Sequence, residues 1–101
     1  MIPTRQRIAT TRGATGVCIT IVGRFDFSCH QDFRKAYESI GPVPECQVDL
    51  KDTEYIDSSA LGMLLLLREA YPDTVVKIQN ATPSVKKILQ IANFGSLFKI
   101  V

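Results

Sequence analysis

From Val17 to Gly23 the residues alternate, with Val17, Ile19 and Ile21 on one side of an extended segment and Cys18, Thr20 and Val22 on the other. A period of two with both sides partly apolar predicts a strand. The more polar segment Gln6 to Thr11, joined to it through Gly13 and Gly16, is placed to pair with it as an antiparallel edge strand. Past Phe25-Asp26-Phe27 the period lengthens. Ser28 followed three residues later by Gln31 fits a capping box, and Phe33, Ala36, Tyr37 and Ile40 recur at helical spacing until Gly41, Pro42 and Pro44 stop the helix. Cys46, Val48 and Leu50 then alternate with Gln47, Asp49 and Lys51, and Val76 and Ile78 alternate with Lys77 and Gln79, which predicts two strands wet on one face. Between them Ser59 to Tyr71, ended by Pro72, predicts a second helix. Thr82-Pro83 reads as the N-cap and first residue of a third helix, with Val85, Ile88, Leu89 and Ala92 as its stripe and Gly95 as its end. Leu97 to Val101 predicts a last strand.

The resulting order is β-β-α-β-α-β-α-β, an α/β fold with a mixed sheet. Alternating strands and helices imply parallel pairing through right-handed crossovers, with the antiparallel N-terminal hairpin at one edge. A sheet buried on both faces would read as continuously apolar, so the polar alternation places the helices mainly on one face. The 101 residues, with 46% hydrophobic and 22% charged, fit a single domain spanning 1–101.

Charge removes some classes of partner. Twelve lysines and arginines against ten acids leave a formal +2, too little to bind nucleic acid or an anionic membrane by bulk charge. The run Leu64 to Leu67, extended by Ala60, Leu61 and Met63, falls far short of the roughly 20 apolar residues that span a bilayer. Met1 to Arg12 carries three arginines and lacks the apolar stretch of a secretory signal, which makes the cytoplasm the expected compartment. Cys18, Cys29 and Cys46 are odd in number and form no CxxC pair, so all three are expected to be reduced, with no metal site and no cofactor implied.

In an α/β sheet the chemistry gathers at the carboxyl ends of the parallel strands, where helix N-termini present free N–H groups. Three loops converge there: Arg24 to Ser28, Thr53 to Ser59, and Asn80 to Pro83. The middle one runs Tyr55-Ile56-Asp57-Ser58-Ser59-Ala60-Leu61-Gly62 into a strongly apolar helix. Asp57, Ser58 and Ser59 are helix-capping residue types. Capping leaves unexplained why Ala60, Leu61, Met63 and Leu64 to Leu67 surround nearly the whole helix axis. One face can bury against the sheet; the rest needs a neighbouring helix or a partner.

Here the chain resembles a known family. Asp57-Ser58-Ser59-Ala60-Leu61-Gly62, after the strand Val48-Asp49-Leu50 and before a leucine-rich helix, is similar to the signature of the STAS domain, the fold of anti-sigma factor antagonists. Gly23-Arg24-Phe25-Asp26 matches the family's Gly-x-x-Asp segment, and Thr82-Pro83-Ser84-Val85 through Phe94-Gly95-Ser96-Leu97-Phe98 resembles its third helix and final strand. The resemblance runs from about Gln6 onward. The chain departs from the family where Ala60 stands in place of the commoner glycine, and in stopping at Val101 where many members carry a further helix. The second departure implies bare apolar surface, open to a partner or a homodimer.

What the resemblance implies is a protein switched by serine phosphorylation. Unmodified, it holds an anti-sigma factor; phosphorylated by that serine kinase, it lets go until a phosphatase resets it. By position Ser58 is the expected acceptor, with Asp57, Ser59 and Asp26 as accessory residues. Arg24, Phe25, Ala60, Leu61 and Met63 are the expected partner contacts.

Two other classes compete. An enzyme would need Ser58, the single His30 and an aspartate to assemble as nucleophile, base and orienter, yet no Gly-x-Ser-x-Gly elbow and no glycine-rich phosphate cradle is present. Cys29-His30 is weaker still, since adjacent helical residues point apart. The chain is therefore expected not to be an enzyme. STAS-like domains also serve as accessory subunits of transporters or in stress-signalling scaffolds, an alternative the motif alone does not separate.

Overall fold

The computed structural model describes residues 7–101, so Gln6, the expected start of the edge strand, lies outside the described residues together with Met1 to Arg5. The chain forms β1 (Ile8–Arg12), β2 (Gly16–Ile21), β3 (Gly23–Phe25), α1 (His30–Glu38), β4 (Glu45–Asp49), β5 (Thr53–Ile56), α2 (Ser58–Ala70), β6 (Val75–Gln79), α3 (Pro83–Ile91) and β7 (Lys99–Ile100). Five strands make one mixed sheet in the order β1-β2-β4-β6-β7, antiparallel between β1 and β2 and parallel elsewhere. Where β2 enters this sheet it passes very close to β4. A Cβ at Gly16 would lie 1.9 Å from the Glu45 carbonyl oxygen, so only glycine fits.

The alternation in sequence becomes a division of the sheet into two faces. Val17, Ile19, Ile21, Cys46, Val48, Val76 and Ile78 are buried, and the helices bury Phe33, Tyr37, Met63, Leu64, Leu67, Val85 and Leu89 in the same core. Burying a Leu or Ile side chain completely stabilises the fold by about 1.5–3 kcal/mol. The opposite face carries half-buried Cys18, Thr20, Gln47, Asp49 and Gln79, with Lys77 paired to Glu45 at 2.9 Å. The helices thus lie over one face, and no helix of the described residues is long and apolar enough to cross a membrane.

Several local details differ from the expectations: Arg24 and Phe25, read from sequence as loop, belong to β3, and the last strand is Lys99–Ile100 instead of Leu97 to Val101. Thr53–Ile56, read from sequence as loop, is β5, and it pairs in parallel with β3 as a second, two-stranded sheet. Four residues with two exposed in the middle, Glu54 and Tyr55, give too short an alternation to be seen as a strand. Ser28 is not the cap of α1. Asp26 caps a 3₁₀ turn at Phe27–Cys29, accepting from the Ser28 N–H, and α1 follows from that turn. The third helix stops at Ile91, with the left-handed turn taken by Asn93 at φ 60° instead of Gly95. The Thr82 cap and the Pro83 start are as the sequence reads, with Thr82 accepting from the Val85 N–H.

Candidate functional site

The second sheet builds the site. Its register sets Arg24 opposite Tyr55 and Phe25 opposite Ile56. Phe25 and Ile56 point into the core, with Phe25 packed 5.2 Å from the Phe33 ring, so alternation leaves Arg24 and Tyr55 outside. The next residues are two aspartates, Asp26 and Asp57. Each stays extended and turns its carboxylate back onto the turn or helix that follows it.

Asp57 accepts a hydrogen bond from the Ala60 N–H at 3.0 Å and is the N-cap of α2. Ser58 is therefore the first helical residue, and it is exposed; Ser59, the second, is half-buried. The first turn of a helix has N–H groups with no partner inside the helix and the positive end of its dipole. An anion on the Ser58 hydroxyl would meet both.

Asp26 sits in a denser network. One carboxylate oxygen accepts from the Ser28 hydroxyl and N–H, and the other is 3.3 Å from Arg24 Nε. The hydrogen bond from the Ser28 hydroxyl is the main reason its carboxyl ionises below the usual carboxylate range, with the Ser28 N–H and Arg24 adding to it. Arg7 closes the cluster by donating to the Ser28 hydroxyl at 2.6 Å and to the Arg24 carbonyl at 3.2 Å. The Arg24 guanidinium also lies over the Tyr55 ring, 4.4 Å from its centroid.

The residues expected to meet a partner separate into two groups. Arg24 is exposed and belongs to the cluster, while Leu61 is half-buried. Phe25, Ala60 and Met63 are corrections. Phe25 and Ala60 are fully buried and Met63 nearly so, because they face the sheet and the neighbouring helix; they shape the site from beneath. Along α2 Ser58, Gly62 and Leu66 are exposed, spaced four apart on one ridge, with Glu69 and Ala70 exposed at the far end. Phe27, 65% exposed, stands at the loop after β3. The imidazole of His30, the first residue of α1, stacks on the Phe27 ring with 4.6 Å between centroids.

Arg7, Ser28 and Tyr55 were missed by sequence reasoning. A signal existed: Arg24-Phe25-Asp26 and Tyr55-Ile56-Asp57 share one exposed-buried-aspartate pattern, which is what two paired strands leading to two caps require. A cleft between α1 and α2 is lined by His30, Phe33, Arg34, Tyr37, Met63 and Leu66 and does not include Ser58. Among the described residues, no three His, Cys, Asp or Glu side chains converge as a metal site would require.

The family described as "Mlab, STAS domain" matches residues 8–100. A STAS-domain containing protein of Pseudomonas aeruginosa (strain UCBPP-PA14) is 53% identical over 85 residues, 81% of this chain and 84% of that one. Among solved structures, an anti-sigma factor antagonist from Mycobacterium paratuberculosis superposes with a TM-score of 0.83 at 14% identity, over 92% of this chain and 82% of the other. The anti-sigma factor antagonist SpoIIAA in its unphosphorylated form gives a TM-score of 0.69 at 18% identity, over 93% and 86%. The phosphorylated form of SpoIIAA, a Bacillus cell fate determinant, gives 0.66 at 17% identity, over 93% and 90%. A sulfate transporter family protein from Wolinella succinogenes gives 0.72 at 15% identity, over 82% and 73%. These structural likenesses concern the fold.

Proposed function

Because this chain belongs to the STAS-domain family, we propose that it is an anti-sigma factor antagonist whose hold on an anti-sigma factor is switched by phosphorylation of Ser58. The observation that carries this reading is the placement of Ser58: an exposed hydroxyl on the first residue of α2, directly after the capping Asp57. SpoIIAA, with the same fold, exists in unphosphorylated and phosphorylated forms.

The switch follows from charge. A phosphate adds about −1.5 to −2 charges at a helix N-terminus, a position that favours anions, so the fold tolerates it. For a docked partner the same group is costly. It adds a dianion beside Asp57 and Asp26, and a surface complementary to the neutral form must then desolvate and face that charge. Arg24, Leu61 and the Ser58-Gly62-Leu66 ridge are the parts of the site a partner can touch.

In this reading the chain acts by binding. It is not an enzyme and needs no cofactor; the phosphoryl chemistry belongs to an anti-sigma serine kinase and to a phosphatase, and the compartment is the cytoplasm. The position of Ser58 outside the α1/α2 cleft fits an acceptor approached by another protein. Incubating the purified protein with ATP and each anti-sigma kinase of its host, followed by mass spectrometry, tests the proposal. It requires a single phosphate on Ser58, absent in Ser58→Ala; modification elsewhere, or none with any kinase, contradicts it.

A second reading is favoured by the sulfate transporter family neighbour: an accessory subunit of a transporter. Stoichiometric co-purification with a transporter ATPase, unaffected by Ser58→Asp, would select it.

A further inference from the structure

We propose that Arg24 is the residue that receives the phosphate on Ser58, and that in moving it uncovers Asp26. This rests on the reading of Ser58 as acceptor. Arg24 is paired with Tyr55 in the register of β3 and β5, yet its Nε lies 3.3 Å from Asp26 Oδ2, two residues further along the chain and just past the end of β3. The side chain therefore already reaches forward to the level of Asp26 and Asp57. Its guanidinium lies over the Tyr55 ring, 4.4 Å from the centroid, which holds it on the β5 side. From Tyr55 that strand leads through Ile56 and Asp57 to Ser58.

The exchange of partners is downhill by charge and geometry. The Arg24 side chain is 62% exposed, so the present ion pair is a weak surface contact. A phosphate dianion one strand away offers more charge and a bidentate match to the guanidinium fork. Asp26 does not need Arg24 to stay ionised, because the Ser28 hydroxyl and N–H remain on its other oxygen. Arg7 is engaged with the Ser28 hydroxyl and the Arg24 carbonyl, whereas the Arg24 guanidinium is turned toward Tyr55 of β5. Once Arg24 moves, the Asp26 carboxylate faces any docked partner without its counter-charge. Phosphorylation then alters the surface at two places, Ser58 and the loop after β3.

Phosphorus-31 NMR tests this on protein with phosphoserine placed at position 58 during translation, in three forms: Arg24 native, Arg24→Gln and Arg24→Lys. Asp26 and Asp57 raise the second ionisation of the phosphate, and Arg24 with the first turn of α2 lowers it. Arg24→Gln should raise that midpoint by about half a pH unit or more, with Arg24→Lys between the two. The Arg24 Nε–H resonance should shift with phosphate ionisation in the native sequence. Equal midpoints for Arg24 and Gln together with an unmoved Nε–H resonance would overturn the proposal. If the Gln protein does not fold, the Lys protein and that resonance decide. Since no kinase is involved, failure of every kinase to modify Ser58 defeats the proposed function and leaves this result standing apart from it.

Discussion

Thr53 donates its hydroxyl proton to the carbonyl oxygen of Ile21 at 2.7 Å, and the side chain is wholly buried. Thr53 opens β5 and Ile21 ends β2, so this bond ties the two-stranded sheet that carries the site to the five-stranded sheet that carries the core. Thr53→Val keeps the shape and deletes the donor. It should cost about 1–2 kcal/mol, read as a lower urea midpoint with unchanged slope; Thr53→Ser should recover much of that loss.

Asp57 caps α2 whatever happens at Ser58, through its bond to the Ala60 N–H. Asp57→Ala should therefore cost about 1 kcal/mol and speed amide exchange in the first turn of α2. Asp57→Asn, which keeps an acceptor oxygen, should be much milder. Equal stability of the Ala variant and the native protein would mean that the cap contributes nothing.

Arg68 closes the other end of the same helix. It donates from Nη1 to the carbonyls of Tyr71, Pro72 and Thr74, at 3.1, 3.3 and 3.3 Å, and from Nε to Leu97 at 3.1 Å. No ammonium can span this set of acceptors. Arg68→Lys should lower stability by about 1–2 kcal/mol, with hydrogen exchange rising first around 71–74 and at Leu97.

The three thiols should differ in reactivity. Cys18 is half-buried on the open sheet face, while Cys29 and Cys46 lie in the core. Burial pushes the Cys46 thiol up to about 12. Ellman's reagent at mildly alkaline pH should label Cys18 first, and Cys46 only as fast as the protein unfolds. Because the folded value of Cys46 lies above the unfolded one, its contribution to stability is intact below the ordinary thiol range. It is lost as pH rises from there through about 12, so Cys46→Ala should flatten the alkaline fall in stability.

Most of the fold was legible because its strands and helices bury one face each. Val17, Ile19 and Ile21 mark one such face, and Val85 and Leu89 another. The Thr82-Pro83 helix start was legible for a local reason, since one residue supplies the acceptor and the next a preset φ. β3 and β5 were obscured because they contribute only three and four residues, with Arg24, Glu54 and Tyr55 exposed. The site suffered from the same shortness. Asp57 and Ser58 could be read from the chain itself, as neighbours at a helix start. The Arg24-Tyr55 stack and the Arg7-Ser28-Asp26 chain join residues far apart in sequence, and only the register of β3 on β5 and the passage of the chain beside β1 bring them together. Phe25 and Ala60 were misjudged as contacts because position in a motif does not say which way a side chain faces, and both face the core.

The central claim is that a phosphate on Ser58 expels a partner while leaving the fold intact. Titration calorimetry of the anti-sigma partner against the unmodified protein and the protein carrying phosphoserine at 58, with the melting temperature of each, tests it most directly. The account predicts affinity lowered at least tenfold, about 1.4 kcal/mol, with melting temperatures within a few degrees. Equal affinity for the two forms, or loss of binding accompanied by loss of the folded state, would contradict it.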